Sequence, residues 1–253
     1  MKSLVLCGLA ALALLCSSCA SSAKSQAKKL FECSEKVQEA VGKYQKKRYS
    51  TAQFILTDVI AKCPGHSSAD TAIFYLGKSL LGLKRPEEAK VEFERLTQSY
   101  PNSPFAEESR FLQGYSSYRA SAPWNLDQAS TKEALQRLKE FAETYPQSPY
   151  ADSARAYSDS CTEKLAKKEF EAAKFYEKIA QYDAAIVYLK AVAEDFPQSN
   201  LLPQVKIAIA ENLLLTKRPA EAEAIINDLL EHPGDEAVLK KARSIKARIR
   251  KQQ

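Results

Sequence analysis

The sequence predicts an all-α fold, a helical solenoid of about five helix hairpins. Three observations carry this prediction. The chain has only 7 glycines in 253 residues and is rich in Ala, Leu, Lys and Glu, which lose little conformational entropy in a helix. A pattern of small and larger apolar residues recurs at a nearly constant interval. Several of the 11 prolines stand where a predicted helix ends, a position at which proline stops a helix.

The interval is about 34 residues, which is the period of the tetratricopeptide repeat, or TPR. In the clearest unit, Gly77 and Ala89 stand where its two helices must approach closely. Phe93 and Leu96 stand where the next hairpin packs, and Pro101 ends the second helix. The remaining units supply Ala40, Ala52, Leu56, Val59 and Pro64; Gly114, Ala134, Leu138, Phe141 and Pro146; Ala173, Ala185, Leu189, Val192 and Pro197; and Ala210, Ala222, Ile226, Leu229 and Pro233. A single hairpin cannot bury its apolar face, so the units are expected to stack.

The N-terminus predicts export and a lipid anchor. Residues 1–18 combine Lys2, a short apolar run and small residues, which is typical of a signal peptide and too short for a permanent membrane span of about 20 residues. Cys19 follows Ser17 and Ser18 and resembles the lipidated cysteine of a lipobox, although Cys16 occupies the position where Leu is usual. A plain secretory signal is the alternative.

This prediction sets the domain organisation and the location. Residues 19–28 are expected to form a flexible, lipid-anchored tether, and residues 29–253 a repeat domain with N-terminal repeats over 29–146 and C-terminal repeats over 147–253. Ala20 favours the outer membrane over inner-membrane retention, with the chain facing the periplasm. A net charge of +6 is a mild bias, and an exported protein meets no genome, so nucleic acid is not an expected partner.

The cysteines predict a disulfide bond rather than a metal site. Cys33 and Cys63 hold the first and last parts of one repeat, which lie at the same end of an antiparallel hairpin, so a disulfide between them is predicted for an oxidising compartment. Cys161 is expected to be an unpaired core residue. The histidines, His66 and His232, are far apart, and we expect no metal, no cofactor and no catalytic residue, because no nucleophile–base pair or glycine-rich phosphate loop is present.

A turn of aromatic residue, proline, Asn or Gln, and serine recurs at residues 100–103, 145–148 and 196–199. Residues 163–176 read EKLAKKEFEAAKFY, and the repeat with Gly114 is interrupted by an extra segment, residues 119–126, that contains Pro123 and Trp124. Together these features resemble the BamD family, the TPR lipoproteins of outer-membrane β-barrel assembly. Only the helix at 165–176 and the interrupted repeat separate this resemblance from TPR proteins in general.

The resemblance implies a non-catalytic component of the β-barrel assembly complex. Its N-terminal repeats would receive the C-terminal strand of unfolded outer-membrane β-barrel proteins. Its C-terminal repeats would dock the periplasmic POTRA domains of BamA beside other lipoproteins of the complex. Two alternatives stay open: another periplasmic TPR lipoprotein scaffold in cell-envelope or peptidoglycan maintenance, and an adaptor that captures peptides for an enzyme.

Two groups of side chains are candidates for binding. A peptide groove of aromatic residues is suggested by Tyr75, Phe111, Tyr115, Tyr118 and Trp124, because aromatic rings give a large contact area at low entropic cost. Packing in the core is the alternative for each of them. The C-terminus, residues 240–251, is strongly basic and is either a partner surface or the solvated face of a capping helix.

Overall fold

The computed structural model describes residues 31–63, 65, 67–231 and 235–251. These residues form eleven α-helices and no strand, which confirms the predicted all-α, TPR-like fold class. Residues 1–18, Cys19, the tether at 19–28, His66 and His232 lie outside the described residues. The helices are α1 (31–45), α2 (Tyr49–Lys62), α3 (Ala69–Gly82), α4 (Pro86–Ser99), α5 (Ala106–Ala120), α6 (Ala129–Thr144), α7 (Ala151–Lys178), α8 (Tyr182–Asp195), α9 (Leu202–Leu215), α10 (Pro219–Glu231) and α11 (Glu236–Ile249).

The helices belong to two compact units, one ending at Ser116 and the other beginning at Ser117. In unit 1, α3 packs against α2 and α4. In unit 2, α7 packs against α6 and α8, and α9 against α8 and α10. Helix α6 packs against α7 and lies in unit 2, and the division of the repeats at 146/147 stays a prediction.

Small residues let paired helices approach as the repeat pattern predicts. A Cβ atom added to Gly77 of α3 would lie 2.7 Å from the ring of Phe93 in α4, closer than packed carbon atoms come. Ala89 of α4 is fully buried beside this contact, and in unit 2 Ala173 and Ala185 are fully buried in α7 and α8. Gly77 is thus required by the close approach of α3 and α4, and the buried alanines occupy the corresponding positions of the other helices.

Tight connections explain a second sequence repeat, Lys-Arg-Pro at residues 84–86 and 217–219. Lys84 and Lys217 have φ angles of 60° and 58°, the left-handed conformation that ends a helix. The next residue, Arg85, donates its backbone N–H to the Leu80 carbonyl at 2.9 Å, and Arg218 does the same to Leu213 at 2.8 Å. Proline then begins the following helix, where its missing N–H costs nothing.

The serine of the recurring turn is held by a carboxylate from the first helix of the hairpin that precedes it, α3 for Ser103 and α7 for Ser199. Ser103 donates to Asp70 Oδ2 at 2.7 Å, and Ser199 donates to Glu163 Oε2 at 2.8 Å. The same serine also contacts the backbone that leads into the next helix. Its Oγ accepts from the backbone N–H two residues later, as in Ser103 and Phe105, and the helix begins one residue further on.

Cys33 of α1 and Cys63 after α2 are paired as a disulfide in the structure, with their Cα atoms 6.5 Å apart. This separation lies within the range that disulfides require. The bond links the start of α1 to the end of α2, at the outermost repeat of unit 1, where no further hairpin is described.

We predict that the disulfide forms in the exported protein and stabilises unit 1 by about 3–4 kcal/mol, because it closes a loop with a sequence separation of 30. Replacing both cysteines, Cys33→Ser and Cys63→Ser, should lower the thermal midpoint, and a reductant should do the same to the wild type. The reductant should leave the double variant unchanged. Mass spectrometry of alkylated periplasmic protein that finds both thiols free would contradict the prediction.

Candidate protein-binding surfaces

The aromatic residues predicted to line a groove are divided between the units. In unit 1, Tyr75 is half-buried and its ring centre lies 5.3 Å from that of Tyr44, while Phe111 is only 7% exposed and stacks on Tyr115 at 6.0 Å. In unit 1 these rings therefore contribute to packing, and Phe111 offers little surface to a ligand.

In unit 2, Tyr118 and Trp124 are half-buried. The ring of Tyr118 packs on Tyr157 at 4.8 Å. Trp124 lies in the segment that interrupts the middle repeat, and the ammonium group of Lys167 sits 5.2 Å from its ring centre. The tryptophan is therefore held against α7 rather than projecting freely.

The interrupting segment is fastened to α7 by lysines. Lys164 donates to the Ser121 hydroxyl at 2.6 Å and to the Ala122 carbonyl at 3.3 Å. Lys168 donates to the Leu126 carbonyl at 2.8 Å. Hydrogen bonds from a charged donor are stronger than neutral ones, so this segment is fixed although it is not helical beyond Ala120.

A buried glutamine holds the segment from its other side. Gln128 is 3% exposed, and its amide nitrogen donates to the carbonyls of Pro123, at 2.7 Å, and Leu126, at 3.1 Å. Its amide oxygen accepts from Thr131 at 2.7 Å. Gln128 was not predicted from the sequence, since nothing local marks a glutamine as buried. The two features that distinguish this chain from TPR proteins in general, the helix at 165–176 and the interruption, thus contact each other.

An exposed aromatic patch lies on the α7–α8 hairpin, and it was not predicted as a site. We define it by Phe175, Tyr176 and Ile179 of the α7 end and by Val187 and Tyr188 of α8. Phe175 is 58% exposed and Val187 67%. Tyr176 stacks on Tyr188, with ring centres 4.8 Å apart, and contacts Phe175 at 5.9 Å. Exposed apolar side chains grouped in this way mark interaction surfaces.

Unit 1 carries a groove of about 600 Å³ between α2 and α4, the α2–α4 groove. Its floor is formed by Leu76 and Leu80 of α3, which are buried, and its walls include Ile60 and Val91. None of the aromatic residues predicted from the sequence lines it. The groove therefore has an apolar floor, while its walls mix apolar residues with polar residues of α2 and charged residues of α4.

Glu92 places a carboxylate in the α2–α4 groove. Burial raises its pKa, although Arg95, whose Nη1 lies 3.6 Å from Oε2, acts in the opposite direction. The buried Oε2 accepts no hydrogen bond within the described structure. Arg95 offsets part of the charge of this carboxylate, and a ligand that donates an N–H group would add a hydrogen bond to Oε2.

The chemistry of the other candidates is limited. Burial raises the pKa of the Cys161 thiol to about 11, so it stays protonated and unreactive at neutral pH. Among the described residues, no group of His, Cys, Asp or Glu is arranged to bind a metal ion. Within the same part of the chain, every helix is too short or too polar to cross a membrane.

Comparisons with known proteins agree with this architecture. The YfiO family, described as an outer membrane lipoprotein, matches residues 31–229. The outer membrane protein assembly factor BamD of Caulobacter vibrioides is 31% identical over 136 residues, which cover 54% of this chain and 45% of that protein. The chain thus spans less than half the length of this relative.

Solved structures were also matched, at low similarity. A thermophilic TPR protein of Thermus thermophilus is 18% identical, with a TM-score of 0.37, and the match covers 85% of this chain and 99% of that one. A tetratricopeptide repeat protein of Parabacteroides merdae is 12% identical, with a TM-score of 0.39, covering 86% and 85%.

The helix hairpins, their small buried contact residues and their exposed surfaces define a TPR-like repeat protein. Within that class, the chain belongs to the YfiO family of outer membrane lipoproteins, which confirms the BamD-like resemblance of its sequence and assigns it to the outer membrane.

We predict that Lys164→Met combined with Lys168→Met releases the interrupting segment while the fold persists. Trp124 is the only tryptophan, so its fluorescence reports on this segment directly. Emission should shift to the red and acrylamide quenching should increase, because the ring loses its fixed place against α7. Lys139→Met, an exposed change on α6, is the control. Unchanged fluorescence in the double variant would show that the lysines do not hold the segment.

Proposed function

We propose that this protein is a non-catalytic component of the outer-membrane β-barrel assembly complex, anchored through a lipid on Cys19 and facing the periplasm. In this role it docks the POTRA domains of BamA, beside other lipoproteins of the complex, and binds unfolded β-barrel proteins. The family and the relative named as an assembly factor support the general role. The serine-rich sequence before Cys19 supports the anchor.

The aromatic patch is the observation that supports the proposed docking to BamA. It lies on the helix hairpin that contains the family-like sequence at 165–176, and it keeps Phe175 and Val187 exposed although both are apolar. Aromatic residues that become fully desolvated contribute most of the affinity at protein interfaces. A domain that covers Phe175, Tyr176 and Tyr188 would bury three neighbouring rings at once.

Substrate binding is assigned to the α2–α4 groove. Ile60 and Val91 offer apolar walls for the alternating side chains of an extended strand, and Glu92 offers an acceptor for a backbone N–H. The half-buried Tyr75 and Tyr115 in unit 1, and Tyr118 and Trp124 in unit 2, are the alternative contacts.

We expect Phe175→Asp to weaken the recovery of BamA from detergent-solubilised outer membranes by about 30-fold in apparent affinity, because it places a charge in a desolvated aromatic contact. Phe54→Asp is the matched control. Phe54 is an exposed phenylalanine of unit 1, 75% exposed, and lies outside the α2–α4 groove. If the wild type recovers peptidoglycan synthesis proteins and no BamA, the other scaffold role is correct instead.

Val91→Asp should weaken binding of a peptide with the alternating C-terminal sequence of an outer-membrane β-barrel protein by about 10-fold, since it puts a second carboxylate beside Glu92 on an apolar wall. Fluorescence anisotropy of the labelled peptide measures this change. Phe54→Asp and Phe175→Asp should leave peptide binding unchanged. If Val91→Asp binds the peptide as well as the wild type does, the α2–α4 groove is not the substrate site. The aromatic residues predicted from the sequence would then be the candidates.

A further inference from the structure

Helix α11 is an addition to the part of the chain that the family matches, which ends at residue 229. Its apolar side, Leu239, Ala242, Ile245 and Ile249, is buried against α9 and α10. Asp235 caps its N-terminus by accepting from the Ala237 N–H at 3.2 Å. The helix is thus a folded part of unit 2 that covers the last repeat.

The positive charge of the protein is concentrated in this helix. Residues 235–251 contain seven Lys and Arg residues and two acidic residues, an excess of five positive charges out of +6 for the entire chain. Lysines and arginines near a helix C-terminus are favourable to the helix itself, but one or two in the last turn achieve that. The concentration therefore exceeds what the stability of the helix requires.

Five of these cations are exposed, and together we call them the basic face: Lys240, Arg243, Arg248, Arg250 and Lys251. Arg243 lies 3.6 Å from Glu236, and the other four form no ion pair with the described residues. Arg248 follows Lys240 by eight residues and Lys251, just beyond the end of α11, follows Arg248 by three, spacings that place residues on one side of a helix.

The basic face has the chemistry of a surface contact with phosphates. Between Lys240 and Lys251 every exposed residue is Lys, Arg, Ser or Ala, and the small Ser244 and Ala247 stand between the cations. No exposed aromatic or aliphatic anchor is available here, which disfavours a shaped protein interface. The apolar side of α11 is already buried, so the helix cannot insert into a bilayer and would bind by charge alone.

We propose that the basic face binds anionic phospholipid headgroups of the membrane to which this family belongs. Each Lys or Arg near an anionic membrane surface contributes to attraction, and five together make a second attachment besides the predicted lipid anchor. Because α11 lies in unit 2, this contact would attach the C-terminal repeats to the membrane. The predicted anchor, by contrast, precedes the first helix of unit 1. The proposal depends on the outer-membrane family and not on docking to BamA.

The test uses the mature chain with Cys19→Ser, so that no acyl chain contributes, and measures sedimentation with vesicles. Vesicles of phosphatidylethanolamine alone are compared with vesicles that also contain phosphatidylglycerol. The unmodified basic face should bind only the anionic vesicles, and binding should weaken when NaCl rises from about 50 to 300 mM. The variant Lys240→Glu, Arg248→Glu and Lys251→Glu should bind them about 100-fold more weakly.

A charge-matched control carries Lys46→Glu, Lys132→Glu and Lys139→Glu, three exposed lysines outside α11. It should bind anionic vesicles nearly as the parent chain does, and all variants should keep the helical circular dichroism of the parent. The proposal is overturned if the control loses as much vesicle binding as the basic-face variant does. It is also overturned if the parent chain binds neutral and anionic vesicles equally well. A basic-face variant that binds vesicles normally, or one that loses only an acidic protein partner, overturns it as well. The basic-face variant should still recover BamA from solubilised membranes. Its result with vesicles therefore tests lipid binding alone and not the docking proposal.

Discussion

The close approach of paired helices is the constraint on which the structure depends. At Gly77 the ring of Phe93 occupies the space where a Cβ atom would lie, and Ala89, Ala173 and Ala185 are fully buried at corresponding contacts. Because interiors are packed without spare volume, a Cβ atom at Gly77 would displace Phe93, and larger side chains at the buried alanines would have to displace their neighbours. The hairpins are therefore fixed by a few small residues, and the residues facing outward are left free to vary.

That freedom explains why the surfaces differ so much in chemistry while the hairpins resemble one another. The α2–α4 groove has an apolar floor and a buried carboxylate, and the aromatic patch is an exposed set of rings on α7 and α8. The basic face of α11 has neither property. The exposed residues of each surface, such as Val91, Phe175 and Lys240, lie at positions that the repeat pattern does not specify, so they can be changed without disturbing the contacts between paired helices.

The fold was predictable because its signal is local, whereas the sites depend on neighbours distant in sequence. Ala89, Phe93 and Pro101 reveal a repeat through their spacing alone. Whether Tyr75 lines a groove depends on Tyr44 and Phe105, 31 and 30 residues away, whose rings pack on it. Amphipathic spacing likewise cannot show that Phe175 stays exposed while Phe170 on the same helix is buried. The Cys33–Cys63 pairing was accessible from sequence, since both ends of one repeat must meet.

The interrupted repeat shows how a loop can become part of a rigid repeat protein. Irregular backbone leaves carbonyl groups without helical partners, and these must be satisfied elsewhere. Here the carbonyls of Ala122, Pro123 and Leu126 accept from Lys164, Gln128 and Lys168. Both lysines lie in residues 163–176, the stretch on which the sequence resemblance rests, so these residues also have a structural role. They fix the interruption on one side of α7, while the C-terminal end of the same helix presents the aromatic patch. One long helix therefore connects a family-specific contact inside unit 2 with the exposed surface proposed to meet a partner.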